Sequence, residues 1–212
     1  YGLLGSKAFM GEFKGFDNLL SRINFAINLE ARGTSGTQIM FETSADNYNT
    51  VKLFAEVNEN LFTCSTATMI YDMMPNGTDF SNLKPYYQGV NIANIGEGEN
   101  YHTPNDNPEN IRESCLSQQA QIVNNLIDKL ANYDLDSLYD AKENAIFFSY
   151  LNIGDVVYNH AFSVVLAVIG ILLLLSNIIV SVVSKKKNLI KTLKAFLIII
   201  IGIVLSGGLT FG

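Results

Sequence analysis

The sequence predicts an α/β domain, with a mostly parallel sheet between helices, followed by membrane-spanning helices at the carboxyl end. Three observations support this prediction. Short apolar runs alternate with amphipathic segments through the first 150 residues, which is typical of βα units. All 20 acidic residues lie at or before Asp155. Beyond that point, residues 161–183 contain no charged side chain.

The strands of the predicted sheet are short and apolar. Residues 22–29 alternate apolar side chains with polar or small ones, the period of a half-buried strand, and 37–42 form a second strand after the turn at 33–36. Residues 90–95 form a third strand, and 145–157 are a strand or a membrane-proximal connector. Because ligand sites in such sheets collect at the carboxyl ends of strands, polar residues at those ends are the candidate site residues.

Helices are predicted between and after these strands. The predicted helices are 4–13, 45–57, 78–86 and 108–132. The second has its apolar residues on one side, as a helix packed on a sheet requires. Thr78 or Asp79 is expected to cap the third. Pro108 is expected to begin the fourth, with Asn107 as its cap, because proline is favoured at the first helical position.

The carboxyl-terminal part is predicted to cross a membrane. As a helix rising about 1.5 Å per residue, 161–183 spans roughly 35 Å, enough for a hydrocarbon core of about 30 Å. A Lys-rich loop follows, with Lys185, Lys186 and Lys187, and such loops stay in the cytosol. Residues 1–160 are then outside the cytosol, lumenal or extracellular. The predicted parts are a domain at 1–150, a connector at 151–160, a first span at 161–183, a cytosolic loop at 184–194 and a second span at 195–212.

The charge balance bears on partners. The formal net charge is −6, but the residues up to Asp155 have nine basic side chains against 20 acidic ones, a net charge of −11. Nucleic-acid binding requires a basic face, so the sequence argues against it. The simplest interpretation of the acidity is solubility.

Two short motifs stand at the ends of predicted strands. Asn28-Leu29-Glu30-Ala31-Arg32-Gly33 places the Glu30 carboxylate just before a glycine turn. Tyr101-His102-Thr103-Pro104-Asn105-Asp106 places an imidazole in a polar loop 72 residues later. Carboxylate and neutral imidazole are ligands of catalytic zinc. Taken singly, a glutamate after a strand is more often a salt-bridge partner, and a loop histidine a surface residue.

Together with Tyr1-Gly2-Leu3-Leu4-Gly5-Ser6, these motifs resemble the M28 family of zinc aminopeptidases and carboxypeptidases, in the family's order and over roughly residues 1–150. The block around Glu30 is most similar to the membrane-anchored members of vacuolar and endoplasmic reticulum membranes. In the family a Glu-Glu pair stands just before the first block, and a His-x-Asp segment lies further upstream. The sequence begins one residue past the pair, so we expect an internal fragment of a longer protein.

The resemblance implies a three-layer αβα zinc-exopeptidase-like fold and two zinc ions. It implies that Glu30 binds one zinc and His102 the other, with the bridging aspartate, the second histidine and the base upstream. The ions would activate a water to cleave a peptide bond. We therefore expect a membrane-anchored exopeptidase acting on peptides outside the cytosol, the fragment alone being inactive. The alternatives are a one-zinc glutaminyl-cyclase-like enzyme and a non-catalytic binding or scaffold module in a membrane complex.

Four further residues have two interpretations each. Tyr101 donates to the oxyanion of the tetrahedral intermediate or simply packs. Asp106 orients the His102 loop or caps the turn. Asp79 lies at the pocket wall or caps a helix. Arg32 holds a substrate carboxylate through two parallel hydrogen bonds or pairs with a nearby acid. The expected partners are a peptide substrate and membrane lipid, with no nucleic acid.

Overall fold

A computed structural model describes residues 3–12, 17–57, 62–150 and 154–183, together with Lys194 and Leu197. The predicted cytosolic loop and second span, apart from those two positions, lie outside the described residues. The chain divides into two compact units, Tyr1–His160 and Ala161–Gly212.

The first unit is built on a four-stranded sheet with the strand order β1-β4-β2-β3. The strands are β1 (Phe25–Ala31), β2 (Ser35–Thr43), β3 (Phe62–Thr63) and β4 (Gln88–Gly96). β1 is parallel to β4 and β3 to β2, whereas β2 is antiparallel to β4. The link between β1 and β2 is too short for a parallel crossover, so these two strands must run in opposite directions. The prediction of an α/β domain with a mostly parallel sheet is confirmed.

Helices and helical turns fill the rest of this unit and continue into the second. The α-helices are α1 (Leu4–Lys7), α2 (Asp17–Leu20), α3 (Tyr48–Val57), α4 (Ser65–Met73), α5 (Phe80–Leu83), α6 (Glu113–Leu130) and α7 (His160–Val183). A π-helical turn covers Ala8–Glu12, and 3₁₀ helices cover Gly98–Asn100 and Leu135–Asp140.

The sheet has a hydrophobic cluster on each face. Val90 and Ile92 of β4 pack with Phe54 of α3 and Leu126 of α6 in the larger cluster. The smaller cluster, on the other face, contains Ala26, Phe80 and Tyr87. Since successive strand side chains point to opposite faces, the apolar residues of one strand supply both clusters. Helices therefore cover the sheet on both sides.

A separate two-stranded sheet follows the main one in the chain. β5 (Ile146–Tyr150) and β6 (Gly154–Tyr158) are antiparallel. β5 touches the β3 edge of the main sheet, where the backbone N–H of Thr63 donates to Ser149 Oγ at 2.9 Å. The predicted strand or connector at 145–157 is thus a hairpin.

The second unit is described through α7. Its stretch His160–Val180 is long and apolar enough to cross a membrane, by length and composition. It is the one such helix in the part of the chain that the structure describes. The predicted span at 161–183 is therefore a single apolar helix, while the predicted second span stays an expectation.

The long helix predicted from Pro108 begins later, at Glu113. Asn107 Oδ1 accepts from the backbone N–H of Asn110 at 3.1 Å, and the Asn110 amide donates to the carbonyl of Asn105 at 3.0 Å. Asparagine side chains compete with helical backbone bonds in this way. The segment therefore forms turns, and the expectation that Pro108 begins the helix is wrong.

The caps predicted for the helix at 78–86 are also wrong. Asp79 itself has helical dihedral angles and makes no side-chain capping bond. The Ser81 hydroxyl accepts from the backbone N–H of Thr78 at 3.1 Å instead. Thr78 Oγ1 is engaged elsewhere, by the Asn91 amide at 2.7 Å. A partner from β4 thus takes the hydroxyl that the cap would have used.

Candidate metal-binding edge of the sheet

The carboxyl ends of β1 and β4 lie side by side, because the two strands are parallel neighbours. Glu30 is in register with Ala93, one position before the end of β1. β4 ends at Gly96, and His102 follows six residues later, after a single 3₁₀ turn. Glu30 and the loop of His102 therefore belong to the same edge of the sheet.

The Glu30 carboxylate is half-buried and is held by a neighbour on its own strand. Asn28 lies two positions earlier on the same face, and its amide donates to Glu30 Oε1 at 3.1 Å. The same amide nitrogen donates to Asn91 Oδ1 on β4 at 2.9 Å. Asn28 therefore links the candidate ligand to the middle of the sheet.

From Asn91 the polar contacts continue to a buried ion pair. The Asn91 amide donates to Glu42 Oε2 at 2.8 Å. The Glu42 side chain is only 1% exposed, and Lys84 Nζ lies 2.8 Å from its other oxygen. Lys84 also contacts the exposed Asp72 at 2.9 Å. Burial alone would lower the pKa of Lys84, but hydrogen bonds to Glu42 and Asp72 outweigh it and raise the pKa.

Tyr71 of α4 lies close to both carboxylates. Burial raises the pKa of its phenol, the negative charges of Glu42 and Glu30 raise it further, and a hydrogen bond with Thr78 acts in the opposite direction. Its ring packs edge-on against Phe41 at 4.6 Å between centroids. A neutral phenol, a hydrogen-bond donor, therefore stands near Glu30. Tyr71 was not among the predicted site residues, because α4 itself was not predicted.

The loop after β4 brings four of the predicted residues together. The His102 ring stacks on the Tyr101 ring, with centroids 3.8 Å apart and planes inclined by 20°. The Arg32 guanidinium lies 5.9 Å from the centre of the Tyr101 ring. The backbone N–H of His102 donates to Asp106 Oδ2 at 3.4 Å. Asp106 thus contacts the His102 backbone.

The backbone of His102 lies outside the regions that most non-glycine residues adopt. Its φ is +60°, in the left-handed region that favours glycine. A non-glycine residue there is strained, and such strain persists where the surroundings fix it, often at functional sites. The Asp106 contact and the ring stacking are the local interactions that accompany this conformation.

The structure places Arg32 near the Tyr101 ring and Asp79 directly before α5. Among the described residues no acid forms an ion pair with Arg32, and its guanidinium lies near the Tyr101 ring. Asp79 stands directly before α5, and its carboxylate makes no hydrogen bond within the described ranges. The structure does not join Asp79 to the His102 loop.

The loop that carries His102 is tied at both ends to the turn after β1. Thr34 is 2% exposed, and its hydroxyl donates to Glu97 Oε2 at 2.7 Å and accepts from the Asn100 amide at 2.9 Å. The Thr34 carbonyl accepts from the backbone N–H of Arg112 at 2.8 Å. Arg112 closes the ring by an ion pair with Glu97 at 2.8 Å. We refer to these four residues as the Thr34 cluster.

Charge and close packing both favour this arrangement. Hydrogen bonds from Arg112 and then Thr34 lower the pKa of Glu97, so its carboxylate stays ionised. Gly33 has a φ of +153°, and a Cβ at this position would overlap the carbonyl oxygen of Gly96. Glycine therefore lets the turn after β1 approach the end of β4.

The donors present suit zinc in kind. Glu30 offers a carboxylate oxygen and His102 an imidazole nitrogen, both common zinc ligands. Within the part of the chain that the structure describes, no group of three or more His, Cys, Asp or Glu residues is placed to hold a metal ion. Two donors do not complete a four-coordinate site.

Comparison with known proteins gives the family. The sequence model of peptidase family M28 matches residues 1–127, more than half of the 212-residue chain. The chain therefore belongs to peptidase family M28, and the resemblance drawn from its motifs is confirmed.

The chain is similar to a mammalian protein called endoplasmic reticulum metallopeptidase 1. It is 25% identical to the human protein and 26% to the mouse protein over 144 residues, 65% of this chain and 16% of each relative. The rat protein is 26% identical over 119 residues, 54% of this chain and 13% of the relative. The chain thus spans about a sixth of the length of the curated relatives it matches. No solved structure matches the chain significantly.

Proposed function

We propose that this chain serves in a membrane-anchored, zinc-dependent exopeptidase that cleaves peptides outside the cytosol. Membership of family M28 supports peptide hydrolysis. The apolar helix α7 supports the anchor. The observation that carries the proposal is the common position of Glu30 and the His102 loop at the carboxyl edge of β1 and β4.

In this proposal Glu30 holds one zinc ion and His102 the other. Bound zinc supplies an activated water and polarises the scissile carbonyl. Asn28 fixes the orientation of the Glu30 carboxylate by donating to Oε1, and the Thr34 cluster fixes the loop of His102. Both arrangements keep ligands in place before substrate arrives, which lowers the cost of reaching the reactive geometry.

Two further residues act on the substrate. The Tyr101 hydroxyl donates a hydrogen bond to the oxyanion that develops on the scissile carbonyl. Arg32, held near the Tyr101 ring, binds the terminal carboxylate of a peptide through two parallel N–H groups. That contact favours peptides with a free carboxyl terminus. Asp79 stays a candidate for the pocket wall.

The test uses the full-length gene product. His102→Ala and Glu30→Ala should each remove a metal ligand, lower the bound zinc and reduce hydrolysis of a short peptide with free termini by orders of magnitude. His160→Ala is the matched control, because it removes the chain's other histidine at the start of α7. Full activity with two zinc equivalents in the His102 variant would contradict the ligand assignment.

The same measurement distinguishes the alternatives. A glutaminyl-cyclase-like enzyme would retain one zinc equivalent in the unmodified protein and cyclise amino-terminal glutamine. A scaffold module would bind no zinc and hydrolyse nothing, with or without the substitutions. The two-zinc peptidase is the one among the three whose hydrolysis depends on both Glu30 and His102.

A further inference from the structure

One face of the two strands β5 and β6 has no charged side chain. The strands pair Ile146 with Tyr158, Phe148 with Val156 and Tyr150 with Gly154. Because every second side chain points the same way, these residues share one face. The hairpin face comprises Ile146, Phe148, Tyr150, Gly154, Val156 and Tyr158.

The opposite face of the hairpin packs on the domain. Phe147 is 1% exposed there and joins the larger hydrophobic cluster. Ser149 donates to Asp155 Oδ1 at 2.6 Å, so the one charged residue of the two strands is on this inner side. On the hairpin face, by contrast, Phe148 is 38%, Tyr150 50% and Val156 40% exposed.

This distribution of polar and apolar side chains is the reverse of that in an ordinary sheet with one exposed face. Antiparallel sheets that cover a core normally turn polar side chains outward. The same unit has 20 acidic residues, yet none of them is on the hairpin face. An exposed aromatic and β-branched surface of this kind indicates contact with a non-aqueous or interfacial partner.

The chain itself indicates which partner. β6 ends at Tyr158 and α7 begins at His160, so one residue, Asn159, lies between them. The two steps of the chain from Tyr158 to His160 reach at most about 7 Å. At about 1.5 Å per residue, the 21 residues of His160–Val180 match a hydrocarbon core of about 30 Å. If α7 enters that core at His160, the end of β6 cannot leave the headgroup layer, which is roughly 5–8 Å thick on each side.

We propose that the hairpin face lies in the headgroup region of the bilayer that α7 crosses, as a second membrane attachment in addition to the helix. Tyrosine prefers this region, because its ring is apolar and its hydroxyl is polar. Tyr150 and Tyr158 supply that chemistry, and Phe148 and Val156 supply the apolar contact between them. The inference rests on the membrane anchor of the proposed function, and it does not depend on zinc or on hydrolysis.

The absence of tryptophan from the sequence makes a direct test available, since one introduced tryptophan is a unique reporter. Any tryptophan that the full-length gene product has outside these 212 residues is replaced first. Phe148→Trp is reconstituted in vesicles containing lipids brominated near the headgroup. Its fluorescence should be strongly quenched, and less so by lipids brominated near the chain ends. Val156→Trp on the paired strand should behave in the same way.

Two matched variants make the result decisive. Leu116→Trp, at an exposed position near the start of α6, should be unaffected by either lipid. Leu172→Trp, inside α7, should be quenched most by bromine near the chain ends. If Leu172→Trp is quenched while Phe148→Trp and Val156→Trp resemble Leu116→Trp, the hairpin inference is overturned and the anchor stands. If Leu172→Trp is not quenched, the anchor fails and the hairpin inference fails with it.

Discussion

Removing the Lys84 ammonium should destabilise the first unit far more than its exposed contacts suggest. Lys84 contacts two acids, one buried and one exposed: the side chain of Glu42 is 1% exposed and that of Asp72 is 54% exposed. In Lys84→Met the alkyl stem is largely kept, while the Asn91 amide, at 2.8 Å, is the one hydrogen-bond donor that Glu42 keeps among the described residues. The substitution therefore leaves a buried carboxylate without its counter-ion.

The expected size follows from that burial. Losing one partner of a buried ion pair costs about 3–5 kcal/mol. We take about 3 kcal/mol, since Lys84 is itself 29% exposed and water can reach its position. Losing the exposed Asp72 contact costs at most about 1 kcal/mol. For a unit of this size, 3 kcal/mol corresponds to a fall in Tm of roughly 6–12 °C.

The assay is urea unfolding followed by far-ultraviolet circular dichroism, with Asp72→Asn as the control that breaks only the exposed contact. Lys84→Met combined with Glu42→Gln should recover much of the loss, because the buried group is then neutral. Equal midpoints for Lys84→Met and Asp72→Asn would refute the reasoning, and so would a double variant less stable than Lys84→Met.

Three further predictions concern the edge and the hairpin. Thr34→Val removes the hydroxyl that hydrogen-bonds both Glu97 and Asn100, so it should lower the free energy of unfolding by about 1–3 kcal/mol. Thr34→Ser keeps a hydroxyl and should retain most of that stability. Equal urea midpoints for Thr34→Val, Thr34→Ser and the unmodified protein would count against the Thr34 cluster. Gly33→Ala should lower the stability of the fold by at least about 1–3 kcal/mol, because the backbone there is strained for alanine and the added Cβ overlaps Gly96. In the control Gly5→Ala the added Cβ meets no neighbour, so this variant should be as stable as the unmodified protein or more stable. Differential scanning calorimetry measures both. Burial raises the pKa of Asp155, so the protonated side chain favours the folded state: its contribution is complete below the ordinary pKa of 3.8 and is lost as the pH rises through the raised value. The difference in stability between Asp155→Asn and the unmodified chain should therefore grow in favour of the variant as the pH rises, and a constant difference would contradict the assignment.

Local sequence patterns were sufficient to predict the main strands and the two motifs that contain Glu30 and His102. β1, β2 and β4 were predicted within a few residues, because period-2 apolar runs and a glycine turn are local signals. α4 was missed, since its first turn is Ser65-Thr66-Ala67-Thr68, and such residues are poor helix formers. The helix is supported by tertiary contacts, such as the Tyr71 ring on Phe41.

The residues that support the candidate ligands could not be predicted from a local sequence pattern. Asn28 and Asn91 are 63 residues apart and meet only because β1 and β4 are in register. Thr34 and Glu97 are also 63 apart and meet at the end of those strands. Glu30 and His102, by contrast, lie in compact sequence motifs, so they could be identified as candidate ligands without knowledge of the fold.

The zinc ligands are tested most directly by a structure of the full-length gene product with anomalous scattering recorded at the zinc edge. We predict two zinc ions at the carboxyl edge of β1 and β4. One should have a Glu30 oxygen and the other a His102 nitrogen at about 2.0–2.2 Å. Anomalous density remote from both residues, or a fully active enzyme without zinc at this edge, would show that Glu30 and His102 are not the zinc ligands.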